Sequence, residues 1–189
     1  MTLALLVALG ALSSESTSFG PQPRGQTALV ALAGQPFWSL RLDHGLTERV
    51  DVGLGLDLAP RGGLMRPMAV GRARLASFGR WRASLLGAVG AALPMPKARP
   101  MRRVLRTLES ELSAQVDYQL PSRVTAVAEV GMLASSDFSA DHTMTLMRGL
   151  VGAEWAPLMP FSLLAQGGAL WGSRGPRAIG AAGAAFRFR

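Results

Sequence analysis

Residues 37–58 read FWSLRLDHGLTERVDVGLGLDL, and their alternation decides the fold. Before the tight turn His44-Gly45-Leu46-Thr47, Trp38, Leu40 and Leu42 fall on one face and Ser39, Arg41 and Asp43 on the other. After it, Val50, Val52, Leu54, Leu56 and Leu58 share a face, with Arg49, Asp51, Gly53, Gly55 and Asp57 opposite. Successive side chains of a strand point to opposite faces, so this two-residue period is a β-hairpin. A soluble sandwich alternates as well. This chain differs in strand length, in the charge on the polar face and in the recurrence of the pattern. Alternating strands of roughly 9–11 residues are what a tilted, membrane-spanning barrel needs.

The period recurs at Gln26–Ala33, Met68–Ser77, Trp81–Leu93, Leu108–Leu120, Val124–Leu133, Thr143–Trp155, Phe161–Trp171 and Ala178–Phe188, making ten strands with the opening hairpin. Leu108–Leu120 is the clearest: Leu112, Ala114, Val116, Tyr118 and Leu120 oppose Glu109, Glu111, Ser113, Gln115 and Asp117. Links after strands two, four, six and eight are short, and those after three, five and seven are long. Short turns at one rim and longer loops at the other are the asymmetry of membrane barrels. The expected fold is therefore all-β, an antiparallel up-and-down transmembrane β-barrel of ten strands, or eight if the first and last fail to span. Two helical readings compete. Leu105, Leu108, Leu112 and Val116 recur at helical spacing within Arg103–Gln119. Leu150–Gly172 is apolar enough for a membrane helix, but such a helix would bury Glu154, Pro157 and Pro160, which a hairpin turn accommodates better.

Composition narrows the class. The 189 residues suit one domain, read as a barrel over 27–189 behind a signal peptide at 1–13 and a flexible lead-in at 14–26 rich in Ser, Gly, Pro and Gln. The apolar run Leu3–Leu12 has the length of a signal core, although no Lys or Arg precedes Arg24; a buried N-terminal strand or helix is the competing reading. Cysteine is absent, which excludes disulfides and thiolate metal sites. Charged residues are 17%, below the roughly 25% of soluble domains, and the net charge of +8 is almost all arginine, with Lys97 the single lysine. The arginines are scattered rather than clustered among stacking aromatics, so no nucleic-acid partner is expected.

One face of the strands carries both signs of charge: Arg41, Asp43, Arg49, Asp51, Asp57, Arg72, Arg74, Arg82, Glu109, Glu111, Asp117, Glu129, Arg148 and Glu154. A charge on the lipid side at mid-membrane costs roughly 2–4 kcal/mol, so these belong in the lumen as paired networks. Ten strands enclose little more than eight, and eight are just filled by side chains, which implies a filled interior or a narrow pore. Trp38, Trp81, Trp155, Phe161 and Trp171 stand near strand ends on the apolar face, as membrane-interface aromatics do, although aromatics favour strands in any case. Lys97, Arg99, Arg102, Arg103 and Arg106 make a basic outer loop that either contacts lipopolysaccharide phosphates or is simply solvated. Asp141 and His142, near Ser135 and Ser136, could build a hydrolytic centre or be a solvated loop, and His44 in its turn reads as structural. Two histidines without cysteine argue against a metal site, and no phosphate-binding glycine loop or other cofactor motif occurs.

The stretch from His44 to Leu54, HGLTERVDVGL, resembles a turn-and-strand pattern of bacterial outer-membrane barrel proteins, in which an aromatic-Gly-Leu-Thr-Asp-Arg turn leads into a Leu-Glu-Val-Gly strand. Here His44 stands for the aromatic, with Glu48 and Asp51 as conservative changes, and the C-terminal aromatic, Phe188, is penultimate. The resemblance, to small OmpA/OmpX-like or porin-like barrels, implies insertion in the bacterial outer membrane and contact with its lipid and lipopolysaccharide. The expected role is structural, adhesive or in envelope assembly, with an envelope protein as a possible partner. A narrow porin-like channel is the alternative, and a cell-surface lipid or peptide hydrolase the third reading. The chain is not expected to be an enzyme.

Overall fold

A computed structural model of the chain describes residues 19–35, 37–59, 63–95, 107–137, 143–158, 160–172 and 175–189. The two-residue period becomes ten strands: β1 (Thr27–Gln35), β2 (Trp38–Gly45), β3 (Val50–Ala59), β4 (Leu64–Phe78), β5 (Trp81–Pro94), β6 (Thr107–Gln119), β7 (Val124–Asp137), β8 (Thr143–Leu158), β9 (Phe161–Gly172) and β10 (Gly175–Phe188). Each pairs antiparallel with its neighbours in sequence, and β1 pairs with β10, so the sheet closes on itself. The first and last strands thus complete the barrel, and the eight-strand alternative falls away. Residues 107–119 are a strand and residues 150–172 lie in a hairpin, so both helical readings fail. Closure gives every strand two partners and leaves no unpaired edge, the condition for strands to cross a bilayer.

Strand lengths run from 8 to 16 residues. At about 3.3 Å per residue and a tilt of about 40°, the 12 residues of β9 rise roughly 30 Å, the thickness of a hydrocarbon core. The turns that include 46–49, 79–80 and 120–123 gather at one rim, together with both ends of the barrel segment. The ends of β3, β5 and β7 and the starts of β4, β6 and β8 lie at the other. The signal peptide expected at 1–13, the basic residues Lys97, Arg99, Arg102, Arg103 and Arg106, and the pair Asp141 and His142 lie outside the described residues.

Faces follow the alternation. The exterior is apolar, with Leu54 68%, Val151 64% and Leu112 58% exposed. Trp81, Trp155 and Phe161 stand at the short-turn end of this surface and Trp38 and Trp171 at the other; Trp81 packs on Tyr118 at 4.6 Å between ring centroids.

Three local findings depart from the sequence expectations. The lead-in expected to be flexible across 14–26 is packed from Phe19 to Gln26: Gln22 and Gln26 are fully buried. Strand β2 runs through Gly45, so the turn is Leu46–Arg49, and the Thr47 hydroxyl closes it by accepting the N–H groups of Arg49 (3.1 Å) and Val50 (3.0 Å). Gly45 is therefore not a turn glycine. A Cβ there would overlap the Pro23 carbonyl oxygen, so its role is to let the N-terminal segment approach. Finally, β4 begins at Leu64, earlier than Met68, and this brings Arg66 into the wall.

Candidate functional site: the lumen

Inward positions on the ten strands carry the polar half of the alternation, and the register decides which charges meet. At the short-turn end, Arg72 on β4 lies opposite Asp51 on β3. Its Nε donates to Asp51 Oδ1 (3.0 Å) and its Nη2 to Asp51 Oδ2 (2.5 Å), a bidentate pair. The same Nη2 lies 2.9 Å from Asp43 Oδ2 on β2, which also accepts Arg41 Nε at 2.7 Å. Asp43, Asp51 and Arg72 are at most 2% exposed, so two enclosed carboxylates share one enclosed guanidinium, with Arg41 a second partner of Asp43.

Two further groups use the same arrangement, and a third pairs one guanidinium with one carboxylate. Arg66 bridges Asp57 (3.5 Å) and Glu109, and the Ser39 hydroxyl donates to Asp57. Arg148 bridges Glu111 and Glu129 and reaches Ser113 Oγ at 3.4 Å. Arg187 pairs with Glu154, whose Oε1 also accepts Ser162 Oγ at 2.6 Å. Arg82 and Asp117 face each other in the β5–β6 register, and the positive charges of Arg82 and Arg74 offset that carboxylate. Arg49, expected among the lumen charges, lies in the exposed turn because the strand begins one residue later.

In four cases an arginine reaches a carboxylate two strands away, and the residue it passes on the intervening strand is small. Arg72 passes Gly53 to Asp43. Arg66 passes Gly90 to Glu109. Arg148 passes Gly131 to Glu111. Arg187 passes Ser162 to Glu154. A Cβ at Gly53 would overlap Asp43 Oδ1, and one at Gly131 would overlap Ser113 Oγ. At the three glycines the absence of a side chain on the wall thus leaves room for the ionic rung to span three strands, while Ser162 is small and itself donates to Glu154.

The N-terminal segment fills the lumen at this end. The Gln22 N–H donates to Asp51 Oδ2 (2.8 Å), Arg72 Nη1 donates to the Phe19 carbonyl (3.2 Å) and Arg74 Nη2 to the Pro21 carbonyl (3.4 Å). Gly25 N–H donates to the Gly45 carbonyl and Gly45 N–H to the Gln26 carbonyl, both at 2.8 Å, which ties the segment to the end of β2. Phe19 packs with Val30, Val127, Leu164 and Ala185 from four strands, an apolar layer across the lumen. Above it lies a cavity of about 130 Å³, and above that a vestibule of about 930 Å³ lined by residues from the long-loop half of the barrel.

Thirteen of the fourteen lumen charges read from the sequence therefore face inward, all but Arg49. Arg66, Arg187 and the segment 19–26 are the additions. Arg66 shares parity with Arg72 and Arg74, a signal that extension of β4 past Pro67 would have revealed. His44 sits at the end of β2, outside the lumen, and its Nδ1 lies 2.9 Å from Thr27 Oγ1. Among the described residues, no group of three or more His, Cys, Asp or Glu side chains could hold a metal ion.

A closed antiparallel sheet, an apolar exterior with aromatic ends and an ionic interior define a membrane-spanning β-barrel. No protein-family model and no curated protein matches the sequence. Among solved structures, the chain is similar to a loop-deleted OmpT, an outer membrane protein of Vibrio cholerae, at 10% identity and a TM-score of 0.47; the match covers 80% of this chain and 53% of that one, so the chain spans about half its length. It is similar to the N-terminal β-barrel domain of Pseudomonas aeruginosa OprF at 13% identity and a TM-score of 0.44, covering 88% of this chain and 100% of that one. It is also similar to Ail, the attachment invasion locus protein of Yersinia pestis, at 11% identity and a TM-score of 0.34, covering 87% and 99%.

Proposed function

We propose that the chain is a bacterial outer-membrane barrel with a closed lumen and a structural, adhesive or envelope-assembly role, rather than a channel for solutes or an enzyme. The observation that carries this is the segment Phe19–Gln26. It occupies the short-turn end of the lumen, fully buried at Gln22 and Gln26 and hydrogen-bonded to groups on β2, β3 and β4. Below the vestibule, the apolar layer around Phe19 and the paired charges interrupt the polar lining among the described residues. The outer-membrane location is supported by the apolar belt and by passage of the membrane with strands instead of helices.

Planar-bilayer recording tests the reading. The wild-type barrel is expected to give no steady conductance, and a variant lacking residues 19–26 to give discrete open steps. Steady conductance from the wild type would replace this proposal with the narrow channel. Co-fractionation with inner-membrane markers would overturn the location.

A further inference from the structure

We propose that the vestibule on the long-loop side is a binding site for a small, uncharged apolar molecule: a hydrocarbon chain or ring with at most one hydrogen-bonding tip. Its volume of about 930 Å³ lies within the range of small-molecule pockets, roughly 300–1,000 Å³. Its two sides differ. Strands β7 to β10 and β1, contiguous around the barrel, contribute Leu133, Leu146, Leu170, Ile179 and Leu32. Strands β3, β4 and β6 contribute Asp57, Arg66 and Glu109, already joined to one another.

Charge sets the ligand class. The cavity lining holds the carboxylates Asp57, Glu109 and Glu111 and the guanidiniums Arg66, Arg148 and Arg177, equal numbers of each sign. Arg66 and Arg148 spend their charge on neighbouring carboxylates. Among the described residues Arg177 shows no ion pair, but it stands exposed at the start of β10, by the rim; deeper in the cavity a charged ligand would have to break an existing pair to gain a counter-charge. The leucine and isoleucine wall gains from a partner that displaces water. Ser39 and Gln166 line the same space and offer a polar contact for a hydroxyl or carbonyl tip. Two sources supply this chemistry, a free solute entering from the rim or an acyl chain from the surrounding membrane.

Ile179 is the single isoleucine of the chain, so isotope labelling of isoleucine δ1-methyl groups yields one resonance, placed on the vestibule wall. The full chain in phospholipid nanodiscs is titrated with n-decanol. The Met147 methyl signal is followed in parallel, because Met147 is exposed on the barrel, outside the vestibule lining, and reports partition into the bilayer. A saturable shift of the Ile179 methyl is expected, at least tenfold weaker in Leu146→Glu. An Ile179 signal that stays still while Met147 responds would overturn the proposal, and this holds even if Leu146→Glu fails to fold, because it is read on the wild type. So would an equal, unsaturable drift of all signals. Contacts between Ile179 and lipid acyl protons before decanol is added, displaced on titration, identify a membrane lipid as the occupant. Contacts that arise only with decanol identify a free solute.

Discussion

Arg72 shows how much one side chain can hold in this lumen. It is the shared partner of Asp43 and Asp51, both enclosed, and it also binds the Phe19 carbonyl. Replacing it with methionine keeps the bulk and removes the charge, which leaves buried Asp51 without its guanidinium and beside Asp43, whose remaining partner is Arg41. Breaking a buried pair in this way costs about 3–5 kcal/mol. Arg72→Met is expected to lower the urea midpoint of the folded barrel in detergent, read by loss of the heat-modifiable gel band. Arg148→Met is expected to cost less, because Arg148 is 25% exposed and water can solvate the carboxylates it leaves. Equal losses for the two variants would show that burial does not govern these pairs.

At the scale of the strand, position matters more than residue type, and glycine shows it. Gly131 on β7 faces the lumen beneath Arg148, where a side chain would meet Ser113; Gly71 on β4 faces outward with nothing within 4 Å of an added Cβ. Gly131→Val is expected to disturb the Arg148–Glu111 rung and reduce the folded yield severalfold, whereas Gly71→Val leaves it unchanged. Densitometry of folded and unfolded bands after refolding distinguishes the two. The strands themselves were legible from the two-residue period, because lipid outside and charge inside force a strict alternation. What hid was local. Pro67 lacks an N–H, and pairing between β4 and β5 skips Arg66 and Pro67, so a proline that belongs to a strand looked like a loop and concealed Arg66. The segment 19–26 has no period at all; its order comes from carbonyls and N–H groups bound by distant side chains, which composition does not encode. Which arginine meets which carboxylate depends on register, and register is a property of the closed sheet.

For the whole molecule, the decisive contrast is between outside and inside. Among the described residues the exterior belt carries no charge at mid-height, where Leu54 is 68% exposed. Leu54→Arg is expected to destabilise the inserted barrel by about 2–4 kcal/mol, and the same change at Leu120, near the rim, by about 0–1 kcal/mol. Equilibrium refolding into lipid vesicles measures both, and equal costs would mean that the belt does not meet hydrocarbon. Three-strand rungs run inside this belt, and they bear on assembly as well as on strength. A strand that pairs one residue out of step turns its whole charged set toward the lipid. Asp51 and Asp57 would then sit in hydrocarbon, and Arg72 would be left with a valine opposite it. Each wrong alignment is thus penalised several times over before the last seam, β1 to β10, can join. The ionic rungs act as proofreaders of strand alignment: a misthreaded sheet is rejected by the membrane around it while it can still come apart and try again.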